Sequence, residues 1–108
     1  MIIHKNKYPW GDSVSIITEN GCAKVEMTFE NVNPGVCYLS GLSVIPEKRL
    51  HGLGTFLIKE CEKYCKLHNI FRIDLHLVQD PGVLKFYYKL GYKTITEEDG
   101  LIRAYKIL

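Results

Sequence analysis

The sequence has little net charge and no long apolar run, and these two absences exclude several classes of protein. Its 14 lysines and arginines nearly balance 12 aspartates and glutamates, which leaves a net charge of +2. This balance gives no electrostatic footprint for nucleic acid or a membrane surface, so neither is expected as a partner. No apolar run approaches the roughly 20 residues that a membrane-spanning helix needs. The first residues do not have the pattern of an export signal, so we expect a cytoplasmic protein.

The chain has only four cysteines: Cys22, Cys37, Cys61 and Cys65. In a cytoplasm they are expected to be reduced thiols rather than a disulfide framework. Cys61, Cys65 and His68 fall on one face of a predicted helix, and this spacing suits a zinc site. The sequence shows no fourth ligand nearby, and free cysteine also behaves as a small apolar residue. We therefore favour a buried helix stripe and expect no metal.

The composition is that of a folded domain. The 108 residues are 46% hydrophobic and 24% charged, which excludes disorder, collagen-like repeats and a coiled coil. No linker, internal repeat or low-complexity tract divides the chain. Residues 1–108 are therefore predicted to form a single domain.

Hydrophobic periodicity predicts strands in the first half of the chain and an alternation of helices and strands in the second. Asn20-Gly21 is a strong hairpin signal, because both turn residues tolerate positive φ. Gly41, inside an apolar strand, predicts a bulge or a close approach by another group. The predicted strands are 1–4, 13–19, 22–30, 36–45, 71–78, 92–96 and 101–108, and the predicted helices are 55–68 and 83–90. This order indicates an α/β domain with a mixed sheet.

The clearest chemical signal is the loop RLHGLGT at 49–55, between the central strand and the long helix. Gly52 and Gly54 have no Cβ atom, so a ligand can approach the backbone there. The free N–H groups of a helix's first turn bind phosphate, and Arg49 adds a cation that suits phosphate oxygens. The spacing is neither that of a P-loop nor that of the three-glycine dinucleotide motif. The residues alone indicate a diphosphate site, with a tight turn that binds nothing as the alternative.

The segment LSVIPEKRLHGLGTFLIKECEKYC, residues 42–65, resembles the acyl-CoA-binding segment of the GNAT superfamily of N-acetyltransferases. The signature of that segment is Gln/Arg-x-x-Gly-x-Gly/Ala, placed after a strand and opening a long helix. Arg49, Gly52 and Gly54 match it.

A second segment, VLKFYYKLGYKTI at 83–95, is similar to the helix-then-strand segment that follows in the same superfamily. The matching residues are Tyr87, Lys89, Gly91 and Tyr92. The two segments stand in the expected order, and the resemblance extends over about residues 13–108.

The resemblance implies a GNAT fold, with a mixed, mostly antiparallel twisted sheet and two main helices, and acetyl-CoA as co-substrate. Acetyl-CoA would lie where the strand before the glycine loop and the strand after the long helix splay apart. The backbone of Leu42, Ser43 and Val44 would bond to the pantetheine arm, and one N–H there would polarise the acyl carbonyl. The implied contacts of the pyrophosphate are Arg49, Leu50, His51, Gly52, Leu53, Gly54 and Thr55.

The same resemblance implies the reaction: an amine of a small molecule or peptide attacks the thioester directly in a ternary complex. Tyr87 matches the family tyrosine near the CoA sulfur and is the candidate general acid for the leaving thiolate. An alkyl amine has a pKa of about 10.4, so its proton must be removed. The candidate bases are His76 and Tyr38, with Glu26 as a third. The alternatives are a water relay without a dedicated base and a histidine that is only a satisfied member of the sheet.

Two positions depart from the family pattern. Asp80 stands where family members usually carry an asparagine, and it is the expected CoA contact at that position. Only residues 7–12 separate the first two predicted strands, where the family has two helices that wall the acceptor site. We therefore expect the acceptor side to be open or closed by another subunit. Residues 101–108, if they form an edge strand, would permit a homodimer.

These departures keep a second function open. A non-catalytic acyl-CoA-binding or regulatory module would retain the cofactor site and lack the acceptor pocket. A structural α/β domain without a cofactor is the third hypothesis.

Overall fold

The computed structural model describes residues 1–18, 20–46 and 52–108. Its elements follow one another as β1 (Ile2–Tyr8), β2 (Gly11–Ile17), β3 (Ala23–Glu30), β4 (Val36–Val44), α1 (Leu53–Leu67), β5 (Arg72–Leu77), α2 (Pro81–Lys89), β6 (Lys93–Thr96) and β7 (Ile102–Ile107). The predicted α/β class with a mixed sheet is confirmed. Within the described ranges, neither helix has both the length and the apolar character needed to span a membrane.

The strands form one seven-stranded sheet in the order β1-β2-β3-β4-β5-β7-β6. Every neighbouring pair is antiparallel except β4 and β5, which run parallel. The prediction that 101–108 could be an edge strand is wrong, because β7 pairs with β5 on one side and β6 on the other. The strands at the sheet edges are β1 and β6.

The hairpin of β2 and β3 turns where the sequence predicts it. Gly21 has a φ of 71°, and the Thr18 hydroxyl accepts a hydrogen bond from Ala23 N at 3.1 Å. Asn20 Oδ1 accepts one from Cys22 N at 3.2 Å. A glycine and an Asx-type contact thus satisfy the turn locally, as such turns require.

The first strand is longer than predicted. β1 pairs with β2 from Ile2 opposite Ile17 to Tyr8 opposite Gly11, so only Pro9 and Trp10 connect the two strands. Every residue of β1 is exposed, so the strand has no buried apolar face. Hydrophobic periodicity therefore could not reveal its full length. The connection is a tight turn, and no helix stands between β1 and β2.

Both helices begin two residues earlier than predicted, because of the residues that precede them. Gly52 takes the left-handed conformation, with φ of 77°, at the N-cap of α1. Asp80 caps α2, and Pro81 occupies its first turn, where a proline is already set for a helical φ.

The two helices lie on the same side of the sheet. We call this side the covered face. The core includes Ile16, Met27, Leu57, Ile58 and Ile73, all of them buried almost completely. On each strand, the residues between the buried ones point to the opposite side, which we call the open face. Its members include Glu26, Tyr38, Asp74, His76, Arg103 and Tyr105.

Candidate active site

The hydrogen-bond ladder between β4 and β5 is much shorter than the strands themselves. It joins residues 36–38 with residues 72–74, beginning at Val36 opposite Arg72 and ending at Tyr38 opposite Asp74. Beyond this point β4 continues to Val44 and β5 to Leu77. The sheet therefore opens into a wedge between two strands that are parallel and paired at their starts.

A bulge in β4 lies beside this wedge. Lys24 of β3 is opposite Ser43 and Glu26 is opposite Ser40, so β4 carries one extra residue between these pairs. Gly41, within that stretch, has a φ of 64°, and a Cβ atom added there would meet no other atom within 4 Å. The predicted irregularity at Gly41 is thus a bulge, and such an insertion changes the direction of the backbone groups.

A cavity of about 230 Å³ fills the wedge. It is lined by residues 39–42 of β4, by residues 75–78 at the end of β5, and by Val83 and Tyr87 of α2. His76 projects from the open face, whereas Tyr87 lies on the covered face. The cavity therefore has a candidate acid and a candidate base among its lining residues.

A larger groove of about 500 Å³ lies beside the wedge, between the end of β4 and α2. Leu42, Ser43 and Val44 line one wall, and Asp80 and Phe86 are on the other. Leu42 and Tyr87 line both this groove and the wedge cavity. An extended chain lying in the groove would reach the wedge directly, which is the arrangement expected for a pantetheine arm.

The first turn of α1 is suited to an anion. Within the described residues it has no side-chain cap and no acidic residue, so its N–H groups and the helix dipole are available. Leu53, Gly54 and Thr55 lie in this turn, next to Gly52. The predicted contacts Arg49, Leu50 and His51 lie outside the described residues.

The two glycines of the loop, Gly52 and Gly54, are needed for different structural reasons. Gly52 needs its positive φ, whereas a Cβ atom on Gly54 would come within 3.3 Å of the Phe86 ring. Gly54 therefore allows α1 to approach α2 closely. The prediction that both glycines keep space for a ligand omitted this packing role, because a sequence does not show which helix faces which.

The first turn of α2 has a side-chain cap, in contrast to that of α1. The Asp80 carboxylate accepts hydrogen bonds from Gly82 N at 2.8 Å and Val83 N at 3.1 Å. Asp80 also lines the groove, and one of its oxygens already caps the helix, so the predicted cofactor contact stays a prediction.

Tyr87 is buried, with 6% of its surface exposed. Burial, helped by the nearby Cys61, raises the pKa of Tyr87 to about 12. A phenol with this pKa keeps its proton throughout the neutral range. Tyr87 can therefore donate a hydrogen bond or a proton into the wedge.

Two other residues of the second motif, Tyr92 and Gly91, serve the fold. The Tyr92 hydroxyl donates to Glu62 Oε2 at 2.9 Å, and Lys106 Nζ lies 3.1 Å from Glu62 Oε1. Burial, followed by the carboxylate of Glu62, raises the pKa of Tyr92. Gly91 has a φ of 91°, which suits a residue that follows a helix.

On the open face the two predicted bases contact each other. The Tyr38 hydroxyl and His76 Nδ1 are 2.8 Å apart. Nε2 of the same ring lies 3.2 Å from Glu97 Oε1. Sequence reasoning missed Glu97, which falls in a predicted turn with no motif around it. The third candidate base, Glu26, instead accepts a hydrogen bond from the Ser13 hydroxyl at 3.0 Å.

The cysteine and histidine spacing on α1 does not bring the three side chains together. Cys61 and Cys65 are fully buried, whereas His68 is exposed and its Nδ1 lies 2.8 Å from the Tyr64 carbonyl oxygen. Among the described residues, no three His, Cys, Asp or Glu side chains form a group that could hold a metal ion. A hydrogen bond with Cys65, together with burial, raises the pKa of Cys37, so this thiol is not activated as a nucleophile.

Comparisons with known proteins agree with this geometry. The family model described as the acetyltransferase (GNAT) family matches residues 11–92. The PaiA N-acetyltransferase of Thermoplasma acidophilum, solved in complex with coenzyme A, has a similar fold, with a TM-score of 0.75 and 21% identity. The match covers 89% of this chain and 60% of that protein. None of the curated proteins matches the sequence.

Two further solved structures have the same fold at low identity. The ribosomal-protein-S18-alanine N-acetyltransferase of Escherichia coli has a TM-score of 0.74 at 14% identity, and the match covers 94% of this chain and 71% of that one. An acetyltransferase of Bacillus subtilis in complex with CoA has a TM-score of 0.73 at 14% identity, with coverages of 92% and 78%. The predicted GNAT fold is thus confirmed.

Proposed function

Because the chain belongs to the GNAT family of acetyltransferases, we propose that it transfers an acetyl group from acetyl-CoA to an amine of a small molecule or peptide. The observation that carries this proposal is the wedge cavity, lined by Tyr87 and by His76. An acyl carbonyl held there has a proton donor on one side and a candidate base on the other. The chain spans 60% of the length of the Thermoplasma protein, so the activity is proposed for this domain.

The route proposed for the cofactor follows the two cavities. Its pantetheine arm lies in the groove along Leu42, Ser43 and Val44, where β4 no longer pairs with β5. Its pyrophosphate sits at the first turn of α1, where main-chain N–H groups and the helix dipole favour an anion. The thioester then reaches the wedge beside Tyr87. Two solved structures of the same fold contain coenzyme A, which supports this assignment.

Tyr87 provides the proton donor for the leaving sulfur. A thiolate forms as the C–S bond breaks, and an ordinary thiol has a pKa of about 8.5. The pKa of Tyr87, about 12, means that the hydroxyl is always protonated when the thiolate appears. Burial in the same apolar wedge raises the pKa of a thiol as well as that of the phenol, so the phenol remains the weaker acid of the two. The hydroxyl thus stabilises the thiolate first by a hydrogen bond.

The open face supports the second candidate function, an acyl-CoA-binding module without catalysis. With the tight turn from β1 to β2, the described part of the chain has no helix on this side of the sheet to wall an acceptor. Such a module would bind acetyl-CoA and would release no thiol with any amine.

Cofactor binding is tested by titrating acetyl-CoA into the native protein and into a Ser43→Trp variant, with calorimetry as the readout. Ser43 is exposed and lines the groove, so an indole there fills the space for the pantetheine arm while the fold is retained. We expect the binding of acetyl-CoA to this variant to weaken by about tenfold or more, because the indole blocks part of the groove. Thr94→Trp, on the exposed strand β6, is the matched control and should bind as the native protein does. No saturable binding by the native protein at millimolar acetyl-CoA would overturn the proposed function.

The role of Tyr87 is tested by thiol release with a panel of polyamines, amino acids, aminoglycosides and peptides. Tyr87→Phe keeps the ring and removes only the proton donor, so turnover with any active acceptor should fall about 100-fold. Its binding of acetyl-CoA, measured by the same calorimetry, should not change. Undiminished turnover would show that another group protonates the sulfur, and binding without turnover in the native protein would favour the non-catalytic module.

A further inference from the structure

A chain of hydrogen bonds crosses the open face from β4 to the turn after β6. Tyr38 contacts His76 at 2.8 Å, and His76 contacts Glu97 at 3.2 Å. Arg103 Nε lies 3.4 Å from the same oxygen of Glu97. The carboxylate is therefore shared between an imidazole and a guanidinium.

The chemistry of the three groups determines the direction of the hydrogen bonds. An ionised carboxylate only accepts hydrogen bonds, so Nε2 of His76 must carry the proton that faces Glu97. In the neutral imidazole Nδ1 is then an acceptor, and the Tyr38 hydroxyl must donate to it. Glu97 thereby selects the tautomer in which the basic nitrogen faces Tyr38.

The chain also connects two spaces that a substrate could occupy. His76 lines the wedge cavity, and Tyr38 lines a separate polar cavity of about 230 Å³ on the open face. Thr28, Asn33 and Asp74 also line this second cavity. The 2.8 Å contact between Tyr38 and His76 thus links the second cavity to the wedge cavity.

We propose that Tyr38 and His76 form a proton relay for the acceptor amine and that Glu97 is the residue that positions it. This proposal rests on the proposed function. An N–H bond of the amine breaks and its proton moves to the Tyr38 oxygen, while the Tyr38 O–H proton moves to His76 Nδ1. The nitrogen lone pair forms the new C–N bond, the C–S bond breaks, and its electron pair leaves on sulfur. The imidazolium is paired with Glu97 and returns its proton to solvent, since 34% of the His76 side chain is exposed.

The first test is the tautomer of His76, read from the ¹⁵N chemical shifts of its ring in the neutral form. The resonances are assigned by their loss in His76→Gln. We expect the Nε2–H form in the native protein and a mixture of both tautomers in Glu97→Ala. Glu98→Ala removes a neighbouring exposed carboxylate and should leave the native tautomer in place. The Nδ1–H form in the native protein would overturn the relay.

The second test uses turnover with an acceptor found in the panel. Glu97→Ala should lower kcat by about tenfold, with the KM for acetyl-CoA unchanged, because it disturbs the base and not the cofactor site. Glu97→Gln keeps an oxygen that can accept from Nε2–H and should recover part of the loss. Tyr38→Phe combined with Glu97→Ala should be no slower than Tyr38→Phe alone, because both changes interrupt one relay.

Failure of the relay and failure of the proposed function give different results. If the native protein is active and Glu97→Ala has the same kcat, the relay is overturned and acetyl transfer stands. A native protein that does not bind acetyl-CoA overturns both the function and the relay that depends on it, even where the tautomer is as expected.

Discussion

The covered face and the open face of the sheet are built from alternate residues of the same strands, yet they differ in kind. On β5 the covered face carries Ile73 and Leu75, both buried, while the open face carries Asp74 and His76. On β4 the pair Cys37 and Leu39 alternates in the same way with Tyr38 and Ser40. Because the side-chain period of a strand is two, neighbouring residues belong to two different environments.

The two faces separate the residues that stabilise this domain from most of those that are candidates for its chemistry. The covered face excludes water, so burial there raises the pKa values of Cys61 and Tyr87, both to about 12. The open face is wet and contains ion pairs and hydrogen bonds that join different strands. At the wedge, where β4 and β5 part, residues of both faces line one cavity. The comparison predicts that, away from the wedge, changes on the covered face cost more stability than changes on the open face.

The largest expected effect is the loss of stability at high pH. The pKa of Cys61 rises from its ordinary 9.0 to about 12 in the folded state, first through burial and then through the charge of Cys65. A raised folded pKa favours the protonated form, so this stability is complete below pH 9 and is lost as the pH rises toward 12. At about 1.4 kcal/mol per pKa unit, Cys61 alone accounts for a loss on the order of 4 kcal/mol.

Urea unfolding at a series of pH values above 8 measures this loss. The free energy of unfolding should fall less steeply with pH in Cys61→Ala than in the native protein, because the variant has one fewer shifted group. Equal slopes in the two proteins would contradict the assignment of this stability to the covered face.

The next effect in size is the loss of a core side chain from α1. Leu57 is fully buried, and Leu57→Ala should lower the free energy of unfolding by about 3 kcal/mol, since it removes apolar contacts and leaves a cavity. Leu67 lies on the same helix with 73% of its surface exposed, so Leu67→Ala is the matched control and should change stability by less than about 0.5 kcal/mol. Denaturant unfolding gives both values, and similar losses would show that α1 is not packed as described.

The smallest expected effect is the removal of an ion pair from the open face. Arg72 Nε and Asp74 Oδ1 are 2.7 Å apart, but 30% of the arginine side chain is exposed. Asp74→Asn should therefore cost less than about 1 kcal/mol, because solvent screens such pairs. A cost as large as that of Leu57→Ala, measured in the same urea titration, would break the contrast between the two faces.

Much of the fold could be predicted from local patterns. The hairpin at Asn20-Gly21, the bulge at Gly41 and the end of α2 before Gly91 depend on backbone preferences of a few residues, and the structure has all three. The element limits that were missed have identifiable reasons. β1 is exposed along its whole length, and Pro81 reads as a turn residue unless its cap Asp80 is recognised.

The candidate site was predictable to a smaller extent. The motifs pointed to Leu42, Ser43 and Val44, which line a groove in the structure, and they singled out Tyr87. Tyr38 and His76 were separate candidates, and their contact was not foreseen. Val83 and Phe86, which line the groove, have no signal beyond their place on the helix that carries Tyr87.

The sequence by itself determined the period of each strand and helix, the positions of the turns and the family to which the motifs point, since all of these depend on neighbouring residues. Only the tertiary structure decided that Tyr38, His76 and Glu97 form one chain of hydrogen bonds. These residues come from β4, β5 and the turn after β6, and their distances depend on strand order and register. Register follows from the packing of the covered face under two helices, which no local pattern records.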